Sequence, residues 1–139
     1  MHAGAWVVAT AAPRHTARLR RLGAREVVDW RTPGWAQHAD DGFDAVLAAV
    51  NGTAAEAMSL LRDGGALCSI TSDAPPGQRG ISSGNLYVRP DAGQLAQLAA
   101  LAADGRLQLT TKGVDLAEGP AAAQQVTAGR AAGDKYVLR

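Results

Sequence analysis

An α/β fold on a mainly parallel sheet is what this sequence predicts, and three observations predict it. Short continuous apolar runs, such as residues 5–10 (AWVVAT) and 45–50 (AVLAAV), have the length of strands. They lack the alternation of a half-solvated sheet and suit strands covered on both faces. Stretches with helical spacing and helix-start signals lie between them, and glycine or proline marks most of the changes. Strand and helix therefore alternate along the chain, the pattern of parallel strands joined by helical crossovers.

Residues 5–11 make the first strand, with Trp6, Val7 and Val8 in one apolar run. Pro13 suits the first turn of a helix. Residues 14–22 continue that helix to Gly23, a C-terminal cap. Residues 26–29 are the second strand. Thr32, Pro33 and Gly34 break the chain, and residues 35–40 have room for one or two helical turns. Residues 45–50 are the third strand, ended by Asn51 and Gly52. Thr53 and Glu56 have capping-box spacing, so the next helix spans 53–62. Asp63, Gly64 and Gly65 then turn the chain into a fourth strand over 66–71. Residues 72–84 mix prolines, glycines and serines without a period, and long loops of this kind are often functional. A short fifth strand covers 86–88. Asp91 caps a helix that ends at Gly105 and carries Leu95, Leu98 and Leu101 on one face. Residues 107–116 are extended, 118–128 helical, and 136–138 a last strand.

The bulk numbers exclude several classes. The chain has 139 residues, 47% of them hydrophobic and 19% charged, so a globular fold is favoured over disorder. A net charge of +1, with dispersed basic residues, speaks against a nucleic-acid partner. Aromatic residues are scarce, which removes a base-stacking surface as well. Cys68 is the single cysteine, so no internal disulfide forms, in keeping with a reducing cytoplasm. Its place in an apolar run reads as a buried, inert thiol. No signal peptide or membrane span is visible. His2, His15 and His38 are scattered, and no zinc-ligand spacing is present.

Several segments taken in order carry a resemblance. They are residues 5–10, Arg14, 19–31 (LRRLGAREVVDWR), 43–52 (FDAVLAAVNG), 60–70 (LLRDGGALCSI), 86–91 (LYVRPD) and 133–139 (GDKYVLR). The chain resembles the C-terminal half of a medium-chain dehydrogenase/reductase of the quinone oxidoreductase, zinc-binding dehydrogenase-like type. The resemblance implies a GroES-like catalytic domain, a first Rossmann strand and a glycine-rich turn ahead of this half. None of these is within the sequence, and Gly-x-Gly-x-x-Gly occurs nowhere in it. The expected architecture is a truncated Rossmann-like domain over 1–105 and a C-terminal strand-helix-strand appendage over 106–139. With the central strand missing, the simplest repair pairs 45–50 with 5–10. The strand order then becomes flavodoxin-like, 2-1-3-4-5. One sheet face should be short of helical cover, and the appendage should pack on this domain or on a partner subunit. A homodimer or a partner chain is therefore expected.

Ligands of open α/β sheets bind beyond the carboxyl ends of the strands. The resemblance implies that Thr10, Arg14, Trp30, Asn51 and Thr71 stand at cofactor-binding positions. Arg14 would lie near an adenosine 2′-phosphate, which means NADPH. Trp30 replaces a usual tyrosine beside Arg31, Asn51 and Gly52 replace paired glycines, and 86–88 would run along the nicotinamide. Asp73, Arg79, Asn85 and Tyr87 fall on or beside the long loop, and a mixture of acid, guanidinium and phenol suits general acid/base chemistry. Asp73, Arg79 and Tyr87 are the catalytic candidates. A Ser-His-Asp set from Ser72 or Ser82, His15 and Asp73 has no supporting spacing, and Asp44 reads as a cap or surface charge. Without the glycine turn no cofactor is expected on the isolated chain, and NADPH only when a partner completes it. The favoured reading is a small-molecule pocket at the strand ends, turned to redox-independent chemistry of a cyclase, isomerase or dehydratase kind on a small apolar molecule. The alternatives are an NADPH-dependent quinone or enoyl reductase completed by a partner chain, and a non-catalytic interaction module.

Overall fold

The computed structural model describes residues 4–35, 42–130 and 135–139. It divides into two compact units, Met1–Arg89 and Pro90–Arg139. All strand pairs are parallel, as the α/β pattern predicts.

The first unit opens with β1 (Val8–Thr10), which pairs with β2 (Glu26–Val28), Val8 opposite Glu26. Between them Pro13–His15 forms a 3-10 turn that runs into α1 (Thr16–Arg21). Arg18, Arg20 and Arg21 crowd the last turn of α1, where the helix dipole favours cations. Gly23 stops the helix with φ +100°, a left-handed conformation that favours glycine. Its N–H donates to the Arg20 carbonyl, and Ala24 N–H reaches back to Leu19.

A second sheet follows. β3 (Phe43–Ala48) pairs with β4 (Leu61–Ser69), and β4 pairs with β5 (Ser82–Asn85). α2 (Ala54–Met58) covers one face of this sheet. Ala54, Ala57 and Met58 from α2 meet Ala48, Leu61, Leu67 and Ile81 in the core, with Phe43 and Val46 packed against them. The opposite face carries no such cluster: Leu47 is 62% exposed and Cys68 is only half-buried. That bare face is the one the sequence left without a helix.

Three expectations are corrected. Residues 63–65 do not separate a turn from a strand. Instead β4 begins at Leu61, and Gly65 sits where a Cβ would press the Asp44 carbonyl at 3.0 Å. The fifth strand is Ser82–Asn85, while Leu86 and Val88 lie exposed beyond it. Most consequential, the order 2-1-3-4-5 is not formed: β1-β2 and β3-β4-β5 are separate sheets. The expected repair rested on the absent central strand and the right-handed crossover rule, and that rule does not require the two runs to pair. These edges border exposed residues, among them Thr10, Ala45 and Leu47, so water satisfies their backbone groups and nothing forces closure. The turns expected over 35–40 fall almost wholly outside the described residues.

In the second unit Asp91 accepts the Gln94 N–H at 2.9 Å and starts α3 (Ala92–Ala103), as its capping position predicts. β6 (Thr111–Val114) pairs with β7 (Lys135–Leu138). A 3-10 turn at Leu116–Glu118 leads into α4 (Gly119–Thr127), so the expected strand-helix-strand appendage forms. α3 has no buried residue, and Leu95 and Leu98 are exposed.

The two apolar groups should behave differently. Leu61→Ala empties a site at 2% exposure and should cost about 2–5 kcal/mol in urea unfolding. Leu95→Ala, on the bare stripe of α3, should change monomer stability by less than about 0.5 kcal/mol.

Candidate functional site

Most of the groups the sequence singled out lie at or just past the carboxyl ends of strands, in two separate sheets. The best-defined feature there is built around Asp73. β4 exits through Ser69, Ile70, Thr71, Ser72 and Asp73, and its hydroxyls stand at alternate positions. The chain bends at residues 70–72, just past the end of β4, and this bend brings the Ser69 and Thr71 hydroxyls to Asp73. The Asp73 carboxylate accepts from the buried Ser69 hydroxyl and from Thr71 Oγ1 at 2.9 Å. Its other oxygen takes the Gly52 N–H at 2.7 Å, and the Ala54 N–H also points to it. Ser72 adopts φ +64°, a left-handed conformation rare for a residue with a side chain. The Asp73 carboxyl is lowered to about 2, chiefly by the Ser69 hydroxyl and further by Thr71 and the two backbone N–H groups, against a smaller opposing effect of desolvation.

This geometry assigns Asp73 a positioning role. A carboxylate with its lone pairs engaged and a pKa near 2 takes up no proton at neutral pH, so it is poorly suited to act as a base. It ties the exit of β4 to the loop after β3 and to the start of α2. It also replaces the expected capping box: Thr53 makes no side-chain cap bond and instead donates to the Val50 carbonyl at 2.6 Å. Next along the loop, Ala74 N–H donates to Asn85 Oδ1 at 3.0 Å and Ser83 Oγ to the Pro75 carbonyl at 2.6 Å. Asn85 is thus occupied in holding the loop.

Arg79 lies elsewhere. β5 runs parallel to β4, so the loop must return to the amino edge before β5 begins. Arg79 is on that return, with its guanidinium bonded to Asp63 at 2.9 Å and to the Met58 and Leu61 carbonyls at 3.0 Å. It is therefore separated from Asp73 by the length of β4, and the grouping of acid and guanidinium over one cleft is corrected. Tyr87 is 69% exposed just past β5, at the carboxyl edge.

The remaining positions fall at the ends of β1 to β3. Thr10 ends β1 and Arg14 lies in the 3-10 turn that follows. Among the described residues Arg14 has no ion-pair partner. Trp30 is 56% exposed just past β2. Arg31 is held by Asp29 through two side-chain bonds of 2.9 Å, and this pairing lowers the Asp29 carboxyl. Asn51 is exposed in the turn after β3, where Gly52 has φ +82° and open space around it. Asp44 forms a surface pair with Arg62 at 2.7 Å. His15 makes no hydrogen bond to Ser72, Ser82 or Asp73 among the described residues, so no Ser-His-Asp set is assembled. His2 and His38 lie outside the described residues. The residue that sequence reasoning missed is Ser69. The alternation Ser-x-Thr-x-Asp at a strand exit was its signal.

A zinc site does not fit: among the described residues no three His, Cys, Asp or Glu side chains come together. A dinucleotide fits in part. Flanking positions are present, but no glycine-rich turn is there to receive a pyrophosphate. Among the described residues no helix is long and apolar enough to cross a membrane.

A family model described as zinc-binding dehydrogenase matches residues 22–138. A comparison with curated protein sequences finds no match. Among solved structures, the quinone oxidoreductase from Coxiella burnetii is similar at 23% identity and TM-score 0.83, over 99% of this chain and 45% of that one. The CurK enoyl reductase is similar at 23% identity and TM-score 0.78, over 99% of this chain and 48% of that one. CurA from Vibrio vulnificus, in complex with NADPH, is similar at 20% identity and TM-score 0.66, over 96% and 49%. At these identities the likeness shows the fold. The chain spans slightly under half the length of these structures.

The Asp73 brace sets a pH dependence. Asp73 ionises more readily folded, at about 2, than at its ordinary value of 3.8. Its contribution is complete above about pH 4 and is lost as pH falls through the folded value near 2. Urea midpoints of the natural chain should fall over that window more steeply than those of Asp73→Asn, which has no carboxyl to titrate. Equal slopes would mean that the brace does not hold the fold.

Proposed function

The chain belongs to the zinc-binding dehydrogenase family, and on that premise we propose that it is the cofactor-side half of an NADPH-dependent reductase of the quinone or enoyl type, whose activity needs a central strand and a catalytic domain beyond these 139 residues. The observation that carries this reading is the open centre of the fold. The sheets β1-β2 and β3-β4-β5 have not closed on each other into a self-sufficient five-stranded sheet. Support also comes from the strand ends: Thr10 ends β1 and Arg14 follows it, Trp30 follows β2, Asn51 follows β3 and Thr71 follows β4. Arg14 is a cation without an ion-pair partner among the described residues, suited to an adenosine 2′-phosphate. Trp30, just past β2, offers an exposed apolar face. Asp73, through Gly52 and Ala54, fixes the loop carrying Asn51. The bound cofactor would supply a hydride to the substrate, and this chain's part is to bind and orient it.

The exposed apolar stripe of α3 suits a second role. Leu95 and Leu98, with Leu116 and Val137 in the same unit, are all exposed. A symmetric dimer that buries more than roughly 1,200 Å² would cover such a surface. Light scattering at micromolar concentration should report twice the monomer mass, and a monomer would remove the dimer from this reading.

A fluorescence titration tests the cofactor. The chain by itself should bind NADPH more weakly than about 1 mM, worth only about 4 kcal/mol, because nothing in it neutralises the pyrophosphate. Mixed with the N-terminal half of a quinone reductase of this family, it should bind in the micromolar range, and Arg14→Ala should weaken that binding about tenfold. Micromolar binding by the chain by itself would show that no completion is needed. Failure of the mixture to bind would move the function to redox-independent chemistry on a small apolar molecule. Trp30→Ala and Tyr87→Ala should then abolish binding of a probe such as a naphthoquinone.

A further inference from the structure

The turn after β3 holds the groups for a reaction of the main chain with itself. Asn51 is followed by Gly52, and both are exposed to water. An asparagine side-chain carbonyl carbon and the next backbone nitrogen can close a ring. A glycine in the second place removes the side chain that would hinder their approach and leaves the backbone free to rotate. The space is open here, since a Cβ at Gly52 would meet nothing within 4 Å. The other asparagine, Asn85, is placed differently. Leu86 follows it, and its Oδ1 already accepts the Ala74 N–H at 3.0 Å.

The attacking nitrogen is restrained by the fold. The Gly52 N–H donates to Asp73 Oδ2 at 2.7 Å. Ring closure needs this nitrogen without its proton, and an amide anion against a carboxylate sets like charges in contact. Asp73 does not take the proton itself, because its hydroxyl and backbone donors hold its carboxyl down at about 2. Rotation is restrained as well. Thr53 clasps the turn twice, its N–H at 3.3 Å and its hydroxyl at 2.6 Å from the Val50 carbonyl. Asp73 cannot follow a turning Gly52, since Ser69 and Thr71 hold its other oxygen.

We propose that Asn51–Gly52 is a deamidation site held in check by Asp73, a self-modifying junction that reacts when this brace opens. The Gly52 nitrogen gives its proton to water and attacks Asn51 Cγ. The N–Cγ bond forms, the Cγ–Nδ2 bond breaks, and Nδ2 takes up a proton and leaves as ammonia. Water then opens the succinimide at one of its two carbonyls. Opening at Cγ gives aspartate, and opening at the main-chain carbonyl gives isoaspartate; nothing is oxidised or reduced. Either product sets a new negative charge beside the Gly52 contact with Asp73. Isoaspartate also routes the main chain through Cβ, which lengthens the very loop that Asp73 pins at Gly52 and Ala54. The modified turn is therefore unsuited to the brace, and the change does not reverse spontaneously. Its isoaspartyl carboxylate has the chemistry that a protein carboxyl methyltransferase recognises. The inference uses no part of the reductase reading.

Peptide mass spectrometry of the full chain, aged at neutral pH, tests it. The readout is the mass gain of deamidation on the peptide carrying Asn51, with enzymatic carboxyl methylation of that peptide to detect isoaspartate. The folded chain should react at least about tenfold more slowly than the same chain in urea. In native buffer Asp73→Asn should speed the reaction about tenfold, the effect of one pKa unit on the attacking nitrogen. Leu61→Ala weakens the core and keeps the brace, so at a temperature where circular dichroism shows it folded it should react like the natural chain. Equal rates in buffer and in urea would overturn the proposal. So would a slower reaction in Asp73→Asn, which would make Asp73 a base, or a Leu61→Ala rate matching that of Asp73→Asn, which would make global opening the only gate. If Asp73→Asn does not fold, hydrogen exchange at the Gly52 amide of the natural chain decides. Slow exchange supports the restraint, and exchange at the rate of an unstructured peptide overturns it.

Discussion

A parallel sheet satisfies its backbone only where strands lie side by side, and in this chain that constraint is broken at the centre rather than at the rim. Each strand gains one neighbour by a crossover within its own run: β1 with β2, β3 with β4, β4 with β5. Among the described residues no ladder joins the two runs. The open edges escape the cost of buried unpaired groups because they are hydrated. They remain templates for another strand, and unprotected edges in the middle of a fold are what natural sheets ordinarily avoid. The rest of the unit is arranged about this gap. The core sits beneath α2 on one face of the three-stranded sheet, and the other face is bare.

Order at the carboxyl end of β4 comes from one carboxylate. Ser69 and Thr71 give Asp73 its hydroxyl donors, and Gly52 and Ala54 bring the neighbouring loop to it. The same donors that hold the loop also remove Asp73 from proton chemistry. A group with four partners and a lowered pKa is a brace. This turns attention from an acid/base site to a binding surface, in which Arg14, Trp30 and Asn51 are presented and the chemistry comes from elsewhere. Arg79 strengthens that view. It spends its donors on Asp63 and two carbonyls at the far end of β4, where it holds the returning loop.

Much of this was legible in the sequence because local signals and global fold agreed. Gly23 and Asp91 mark helix ends by conformation and by a side-chain oxygen, and both do so in the structure. Apolar runs located the four main strands of the first unit. The errors arose where a partner distant in sequence decides. Thr53 and Glu56 have the spacing of a capping box, yet it is Asp73, distant in sequence, that accepts the Ala54 N–H at the start of α2. The apolar residues 86–88 look more strand-like than 82–85, but pairing with β4 fixes the fifth strand at Ser82–Asn85, where Ser83 and Asn85 also hold the loop. The strand order was misjudged for a related reason. Crossover rules govern which strands follow each other, and they are silent about whether an empty place between two runs will close.

The second unit makes an independent demand for a partner surface. A helix of 12 residues is marginal in water unless an amphipathic face is packed. α3 has its cap, through Asp91, and its alanine-rich composition favours the helical state. It nevertheless buries none of its residues. Within that unit Ala122 is the one buried hydrophobic among the described residues, while Leu95, Leu98, Leu116, Val126, Val137 and Leu138 are exposed. Single exposed leucines are ordinary; a run of them across one small unit is not. An unpaired pair of strand edges and an unpacked helix stripe are separate deficits, one of hydrogen bonds and one of apolar burial. No rearrangement of the chain's described strands meets the first, since each is already paired, and capping leaves the second untouched. Both deficits are of the kind that further protein packed against these surfaces would meet.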